Sequence, residues 1–366
     1  MNLDPVELAT RLIAIDTVHG GEGASSAVLR GVLEPHGFVV DEPVAGNLVA
    51  RFNGGGRLVL SGHIDTVAFD RGQWATDPLA ATRAGDRLIG RGSSDMKGGI
   101  AALCAAATRH AMRTPNGKGF DLVITTGEET GCTGARQIER HLPDGSILIV
   151  AESTGNDIRY GHRGVTWLEI ATIGRAAHGS TPERGVNAIT ALVGALGELE
   201  RLLPREPHPV LGTTTSNLGM IAGGQQINIV PATASAMVDL RIPPGTDLEP
   251  LIARLRDQPA VDTVDELLRL GPVWTDPGSA LSAAVASIVT DTTGRAGHPS
   301  GTSYFTDAAV LAPRSAGAYI VGPGDPSQPH TANEWCSTAR ISEATEIYER
   351  LLDSWSREGL GPDGGR

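Results

Sequence analysis

The spacing of hydrophobic residues predicts helices that alternate with strands over the first 160 residues. Apolar residues recur at helical intervals over residues 4–15 and 24–36. Apolar runs at 47–52 and 57–62 predict strands, which we expect to be neighbours joined by the glycine turn 54–56. The same criteria predict the elements that follow, namely helices over 99–112 and 135–142 and strands over 121–126 and 146–152. This alternation is typical of an α/β sheet.

From residue 165 the pattern becomes that of a separate, smaller domain. It predicts a strand, a helix, two strands and a second helix over 166–176, 185–203, 214–224, 233–245 and 247–257. The α/β pattern then returns, with a helix over 279–292, a strand over 318–322 and a helix over 341–357. We therefore predict an α/β/α catalytic domain of residues 1–164 and 276–366, with an inserted α+β domain of residues 165–275.

Five short segments carry side chains that bind divalent metals, and several of them follow predicted strands. They are SGHIDTV at 61–67, GRGSSDMKGG at 90–99, TTGEETGCTGA at 125–135, AES at 151–153 and GPGDPSQPHTANEW at 322–335. The candidate ligands are His63, Asp65, Asp95, Glu128, Glu129, Glu152 and His330. Imidazole and carboxylate together suit zinc, and to a lesser degree manganese or cobalt. Two such ions, about 3.5–4 Å apart and sharing a carboxylate, would activate water and polarise a carbonyl.

Taken one at a time, these residues have ordinary structural explanations. His63 could be a buried structural histidine, and Asp95 could cap the helix that follows it. The adjacent Glu128 and Glu129 could lie on a solvated helix face, and His330 could be a surface loop residue. The combination favours a metal site because each segment supplies a ligand type that complements the others.

Composition limits the classes of protein to which the chain can belong. Its 366 residues suffice for two or three domains, and 40% are hydrophobic, enough for a buried core. The net charge of −12 argues against nucleic-acid binding. No apolar run reaches about 18 residues, so we expect no membrane span. The N-terminal sequence lacks the regions of a signal peptide, and the segment 361–366 is predicted to be disordered.

Three unevenly spaced cysteines, Cys104, Cys132 and Cys336, are typical of reduced thiols in a cytoplasmic protein. Motifs of other enzyme classes are absent from the sequence. There is no G-x-S-x-G segment, no Walker loop and no G-x-G-x-x-G after the first strand. Cys104 lies within the predicted helix 99–112, which is rich in alanine, and this indicates a core position rather than a nucleophile.

The ordered set of motifs resembles that of the M20 metallo-aminoacylases and carboxypeptidases, the group that includes acetylornithine deacetylase and succinyl-diaminopimelate desuccinylase. The resemblance covers nearly the whole chain. It includes WATDP at 74–78, GRAAHGSTPERGVNAI at 174–189, INIVP at 227–231 and VDLRIPPG at 238–245. It implies that the inserted domain is a ferredoxin-like lid through which the protein forms a homodimer.

The resemblance also implies a ligand set. Asp95 would bridge two divalent metal ions, with zinc favoured and cobalt or manganese as alternatives. His63 and Glu152 would complete one site, and Glu129 and His330 the other.

Two further acids would act beside the ligands. Asp65 would hold the His63 imidazole in one tautomer. Glu128 would be the general base that takes a proton from the attacking water and passes it to the leaving amine. The resemblance also implies a cis peptide between Asp95 and Met96.

In the lid, the resemblance assigns His178 to the partner subunit's site, where it would stabilise the tetrahedral oxyanion with help from Asn228. The ordinary alternative for His178 is a turn-capping role. Arg241 would bind the substrate carboxylate through a bidentate contact. Arg163 and Thr302 complete the predicted substrate-binding set.

One departure from the desuccinylase pattern bears on the substrate. Desuccinylases carry an Arg-Arg pair between glycines, with a serine soon after. This chain has Gly161-His162-Arg163-Gly164, followed by Val165. The loss of one cation and of the hydroxyl favours a small neutral acyl group such as acetyl over succinyl.

These expectations describe a cytoplasmic di-zinc amidohydrolase. It would remove an acyl group from a small N-acylated amino acid, or cleave a short peptide, with a free carboxylate. One alternative is a metallo-carboxypeptidase or dipeptidase with the same centre, which Glu152 in place of the Asp common in dipeptidases makes less favoured. A second is a metal-binding homologue without catalysis. The presence of Glu128 argues against that alternative, because such a protein has no need of a base.

Overall fold

The computed structural model of the protein describes residues 3–18 and 20–360. The segment 361–366, predicted to be disordered, lies outside these residues. The chain folds into two compact units. Among the described residues, the first contains 3–161 apart from 19, 273–300 and 306–360, and the second contains 162–272 and 301–305. The predicted catalytic domain differs from the first unit by three residues at each junction and by the segment 301–305.

The described residues form helices and strands throughout both units. Among the described residues the α-helices are α1 (Pro5–Ile13), α2 (Glu22–Leu33), α3 (Gly98–Arg113), α4 (Thr133–Ile138), α5 (Ala188–Leu202), α6 (Glu249–Arg256), α7 (Ala280–Thr293), α8 (Ala308–Leu311) and α9 (Thr338–Glu358). The strands are β1 (Phe38–Val44), β2 (Asn47–Phe52), β3 (Leu58–His63), β4 (Thr82–Ala84), β5 (Arg87–Ile89), β6 (Phe120–Thr125), β7 (Ile147–Val150), β8 (Gly161–His162), β9 (Gly164–Ile173), β10 (Thr215–Gly223), β11 (Thr233–Ile242), β12 (Val261–Leu270), β13 (Val273–Trp274), β14 (Gly317–Ile320) and β15 (Trp335–Ser337). None of these helices is both long and apolar enough to cross a membrane.

The first unit is built on a six-stranded sheet in the order β1-β2-β6-β3-β7-β14. β3 is parallel to β6 and β7, and β14 is parallel to β7. The predicted pairing of the strand at 47–52 with the strand at 57–62 is wrong, because β6 lies between them. Gly56 lets the connection cross the start of β6, since a Cβ there would lie 2.0 Å from the carbonyl oxygen of Gly119.

Small side chains allow α3 to pack closely in the core of the first unit. Its residues 98–108 are all buried, and the helix contacts α1, α2, α9 and β3. A Cβ on Gly99 would lie 2.2 Å from the carbonyl oxygen of Ala151, directly after β7. This close approach brings the segment that precedes α3 to the carboxyl edge of the sheet.

A second, three-stranded antiparallel sheet in the order β15-β5-β4 lies in the same unit. Trp335 pairs with Ile89, and Ser337 pairs with Arg87. Strands of three residues have too few positions to show a hydrophobic period, so the sequence did not predict them. Their pairing places the segment after β5 beside the segment before β15.

The second unit is a four-stranded antiparallel sheet in the order β10-β11-β9-β12, with α5 and α6 packed on it. This is the strand order of a ferredoxin-like fold. The predicted series of elements lacked β12, because two register shifts, at Val261/Thr263 and Glu266/Leu268, break its alternation of apolar and polar residues. The predicted fold class, an α/β domain with an inserted α+β domain, is confirmed.

The contact between α3 and β7 gives a stability prediction. Gly99→Ala should destabilise the protein by about 1–3 kcal/mol, because the new methyl group meets a backbone carbonyl that cannot rotate away. Gly31→Ala, in α2 with nothing within 4 Å of the added Cβ, is the matched control and should stabilise by about 0.5–1 kcal/mol. Urea unfolding measures both changes. Equal stability of the two variants would contradict this account of the packing.

Candidate metal centre

Three of the predicted ligand segments follow adjacent parallel strands and therefore meet at one edge of the sheet. His63 is the last residue of β3, Glu128 and Glu129 lie shortly after β6, and Glu152 lies shortly after β7. The carboxyl ends of parallel strands lie side by side, which is where open α/β sheets carry their sites.

The other two ligands come from connecting segments. Asp95 lies in the turn between β5 and α3, and its peptide bond to Met96 is cis, as the resemblance implied. His330 lies in the loop between β14 and β15 and has a left-handed φ of +64°. Side chains other than glycine rarely adopt this conformation, and it is enriched at functional sites.

The structure brings these residues together in two groups that share Asp95. The first group is His63, Asp95 and Glu152, and the second is Asp95, Glu129 and His330. Within each group one ligand atom per residue lies within 4.8 Å of the others. Asp95 Oδ1 is 3.0 Å from His63 Nε2, and its Oδ2 is 3.5 Å from His330 Nε2. Each carboxylate oxygen of Asp95 therefore faces one group, as a bridging ligand requires.

Both ring nitrogens of His63 face hydrogen-bond acceptors. Its Nδ1 lies 3.0 Å from the backbone carbonyl oxygen of Asp65, which can only accept, so Nδ1 carries a proton. Nε2 faces Asp95 Oδ1 at 3.0 Å and Glu152 Oε1 at 3.4 Å. Burial lowers the pKa of His63, but hydrogen bonds to Asp65, Asp95 and Glu152 raise it overall well above its usual range. A cation held among these carboxylate oxygens would take the place of the proton on Nε2, so the arrangement suits a metal ligand.

The charges at this edge are not balanced by the side chains themselves. Burial raises the pKa of Glu152 to about 7, and the charge of Asp95 adds to the shift. Hydrogen bonds to Asp95 and Glu129 raise the pKa of His330 to about 10. Glu129 Oε1 is buried and has no hydrogen-bond partner among the described residues. The donor set and its excess of negative charge therefore fit divalent ions.

Glu128 belongs to neither ligand group. Its Oε2 lies 4.0 Å from His63 Nε2, and the side chain is buried. Burial raises the pKa of Glu128 well above its usual range, and the charges of Glu152 and Asp307 add to the effect. A carboxylate with a raised proton affinity, beside the ligands but outside their groups, is suited to accept a proton.

Asp65 contacts His63, as predicted, and also contacts the backbone of two other residues. Its Oδ1 lies 3.5 Å from His63 Nδ1, while its backbone carbonyl makes the shorter contact. The carboxylate also accepts the backbone N–H groups of Glu128 and Glu129 at 3.3 and 3.2 Å. Burial opposes ionisation, but the hydrogen bond with His63 and these N–H groups lower the pKa of Asp65. One ionised carboxylate thus orients both a ligand and the two adjacent glutamates.

His178 and Asn228 lie in the second unit, on neighbouring exposed segments. Gly179 N donates to Asn228 O at 2.7 Å. Ser180 N donates to His178 Nδ1 at 3.2 Å, and Ser180 Oγ lies 2.7 Å from the same nitrogen. His178 therefore does cap its turn. Because a backbone N–H can only donate, Nδ1 is the acceptor and the neutral ring carries its proton on Nε2. The cap leaves an N–H donor on the exposed His178 ring.

The predicted substrate-binding residues of the second unit are held by internal contacts. Arg241 Nε and Nη2 both donate to Asp239 Oδ2, at 3.1 and 2.9 Å. Arg163 Nε donates to the carbonyl oxygen of Leu211 at 2.7 Å. The Thr302 hydroxyl donates to the carbonyl oxygen of Tyr304 at 2.9 Å, and Arg163 N donates to Thr302 O at 3.2 Å.

Two buried acids beside the centre were not predicted from the sequence. Asp307, at the start of α8, accepts the Thr125 hydroxyl behind Glu128, and burial raises its pKa to about 6. Glu334 is fully buried four residues after His330. The only signal in the sequence was that Glu334 lies inside the segment already chosen for His330.

A comparison with known families identifies the chain. A family model described as Peptidase family M20/M25/M40 matches residues 59–354. The chain belongs to this family. The predicted resemblance is therefore confirmed, as is the predicted class of enzyme, a hydrolase of amide or peptide bonds.

Individual M20 relatives carry different names. An acetylornithine deacetylase from Pectobacterium atrosepticum is 30% identical over 96% of this chain and 98% of its own length. A probable carboxypeptidase from Neosartorya fischeri is 31% identical over 94% of this chain and 84% of its own. The solved structure of the Bacillus subtilis YXEP protein, a dinuclear metal-binding peptidase of the M20 family, aligns with a TM-score of 0.72 at 14% identity. The alignment covers 95% of this chain and 96% of that one.

The two ligand groups predict different responses to substitution. Asp95→Ala should lose both divalent ions, because Asp95 is common to both groups. His330→Ala should weaken only one ion, and Glu128→Gln, outside both groups, should keep two. Metal content after titration with a chelator measures these differences. Loss of a single ion from Asp95→Ala would contradict the bridging assignment.

Proposed function

We propose that this M20 protein is a di-zinc amidohydrolase that removes an N-acyl group, acetyl in preference to succinyl, from an amino acid-like substrate with a free carboxylate. The single observation that carries the proposal is the pair of ligand groups joined through Asp95, with Glu128 buried beside them and outside both. Such a set of side chains supplies two metal sites and a separate proton acceptor.

The reaction follows from the roles of the chain's own residues. Two divalent ions held there would polarise the scissile carbonyl and lower the pKa of a water to about 7. Glu128 would take a proton from that water as its oxygen adds to the carbonyl carbon. Glu128 would then deliver the proton to the amine nitrogen as the C–N bond breaks. Asp65 would hold His63 and the Glu128 backbone in place throughout.

The residues of the second unit would select the substrate. Arg241 would bind the substrate carboxylate by sharing or displacing the contact that its Nε and Nη2 make with Asp239. Arg163 and Thr302 would contact the same substrate. The preference for acetyl is supported by the replacement of a cation by His162, which is buried and whose pKa burial lowers to about 4, so that it is neutral. A neutral side chain there cannot pair with a succinyl carboxylate.

A carboxypeptidase with the same centre is the second candidate, favoured by the fungal relative named a probable carboxypeptidase. A release assay over N-acetyl amino acids, N-succinyl amino acids and dipeptides, with added zinc or cobalt, separates the two. We expect fastest release from N-acetyl substrates. Glu128→Gln should keep its metals while kcat falls roughly 10²–10⁴-fold, the usual effect of losing a general base. Full wild-type activity after exhaustive chelation would refute the mechanism.

We also propose that the protein forms a homodimer through the second unit. β10 is an edge strand, paired only with β11 in its sheet, and its apolar residues Leu218, Met220 and Ile221 are 47%, 64% and 55% exposed. A long apolar edge of this kind tends to pair with another strand. The free, buried cysteines Cys104, Cys132 and Cys336 support the cytoplasmic location that we propose for this dimer.

A subunit-mixing experiment tests the lid histidine and the dimer together. The Nε2–H of His178 would donate to the oxyanion in the partner's site, and such a donor is typically worth about 3 kcal/mol. His178→Ala should therefore be nearly inactive with both metals bound. Mixing it with inactive Glu128→Gln should restore activity, because one site of the hybrid dimer keeps both groups. If the subunits exchange and no activity returns, His178 does not act across the dimer.

A further inference from the structure

Glu334 is the most completely enclosed acid near the centre. It is 0% exposed, and its carboxylate accepts four hydrogen bonds from the segment that carries Asp95. Oε1 accepts from the backbone N–H groups of Ser94 at 2.8 Å and Asp95 at 3.0 Å. Oε2 accepts from Gly92 N at 2.9 Å and from Arg91 Nη1 at 2.7 Å.

We propose that Glu334 is a positioning residue that fixes the Asp95 carboxylate between the two metal sites. The inference rests on the proposed metal centre. Glu334 does not belong to either ligand group, so it would act only through the backbone that it holds. The amide N–H of Asp95 is one of its donors, so any shift of Glu334 is passed directly to the bridging ligand.

Glu334 lies near the C-terminal end of the chain, and strand pairing brings it beside the segment that contains Asp95. Gly90 N donates to Glu334 O at 2.9 Å, extending the β5–β15 pairing by one step toward the centre. The Ser94 hydroxyl donates to Trp335 O at 2.7 Å, which adds a second tie between the same two segments. His330 lies four residues before Glu334 on the same loop. Glu334 therefore couples the segment of Asp95 to the segment of His330.

The contacts require two accepting oxygens and not merely a polar residue. All four partners are donors, and each oxygen of Glu334 accepts from two of them. A glutamine would keep one accepting oxygen and turn its NH₂ group against two donors. It would also leave the Arg91 guanidinium, which is 4% exposed, without its anionic partner.

The test is the affinity for zinc and for cobalt, measured on the full chain by competition with a chromophoric chelator. Glu334→Gln should weaken both ions by about 10–100-fold, the usual range for a residue that orients a ligand. Loss at both sites distinguishes this role from that of His330, whose removal should affect one ion. The absorption spectrum of the cobalt protein should also change, because the bridging ligand moves.

Asp86→Asn is the matched control. Asp86 lies between β4 and β5 of the same three-stranded sheet, where it accepts from Ala339 N at 2.8 Å and Thr338 Oγ1 at 2.9 Å, away from the metal ligands. It should bind both ions as the wild type does. An equal loss in Asp86→Asn would mean that the sheet has merely loosened and would overturn the proposal.

A second variant tests the same role if Glu334→Gln fails to fold. Arg91→Met removes one of the four donors and keeps the three backbone contacts, so it should weaken both ions by a smaller factor. Unchanged metal affinities in Glu334→Gln would overturn the role of Glu334 but not the proposed metal centre. If Glu334→Gln does not fold, unchanged affinities in Arg91→Met would have the same meaning. A wild-type protein that binds no divalent ion would overturn the proposed function as well.

Discussion

The crowding of acids at one buried edge of a sheet is the constraint on which the rest of the first unit depends. Four carboxylates lie there within 4.0 Å of one imidazole, His63, and a second imidazole, His330, approaches a fifth carboxylate, that of Glu129, from a loop. Charges of one sign repel strongly in a poorly solvated site, and each unpaired one is costly. Imidazoles and backbone N–H groups compensate part of this charge. The remaining negative charge would be unfavourable if these residues had only a structural role. This edge of the sheet is therefore best interpreted as a cation-binding site.

Backbone geometry, more than side-chain choice, sets where these acids lie. The parallel register of β3, β6 and β7 aligns three of the segments. The absence of a Cβ at Gly99 lets α3 begin against the end of β7, which brings Asp95 to the same edge. Asp65 and Glu334 then accept hydrogen bonds from backbone N–H groups of the ligand segments. Neither acid belongs to a ligand group, but both fix the main chain of residues that do.

The sequence predicted the parts of this centre that follow from local pattern. An apolar run followed by an acid or imidazole marks a strand end, so His63, Glu129 and Glu152 could be found from one segment each. The contacts of Glu334 could not, because its partners lie about 240 residues earlier and its strand, β15, is too short to show a period. The predicted pairing of β2 with β3 was wrong for a similar reason. A glycine turn indicates that the chain reverses, but it does not show that a later strand, β6, lies between the two strands that the turn connects.

The metal centre alone does not select a substrate, because a deacylase and a carboxypeptidase break the same kind of bond with the same base. Selection must therefore come from groups that recognise what flanks the amide. In the second unit, the guanidinium of Arg241 is occupied by Asp239, and that of Arg163 by a backbone carbonyl. A substrate carboxylate gains only the difference between its own contact and the one it displaces or shares. If Arg241 and Arg163 bind substrate as proposed, small changes around these internal partners would redirect specificity while the centre stays unchanged.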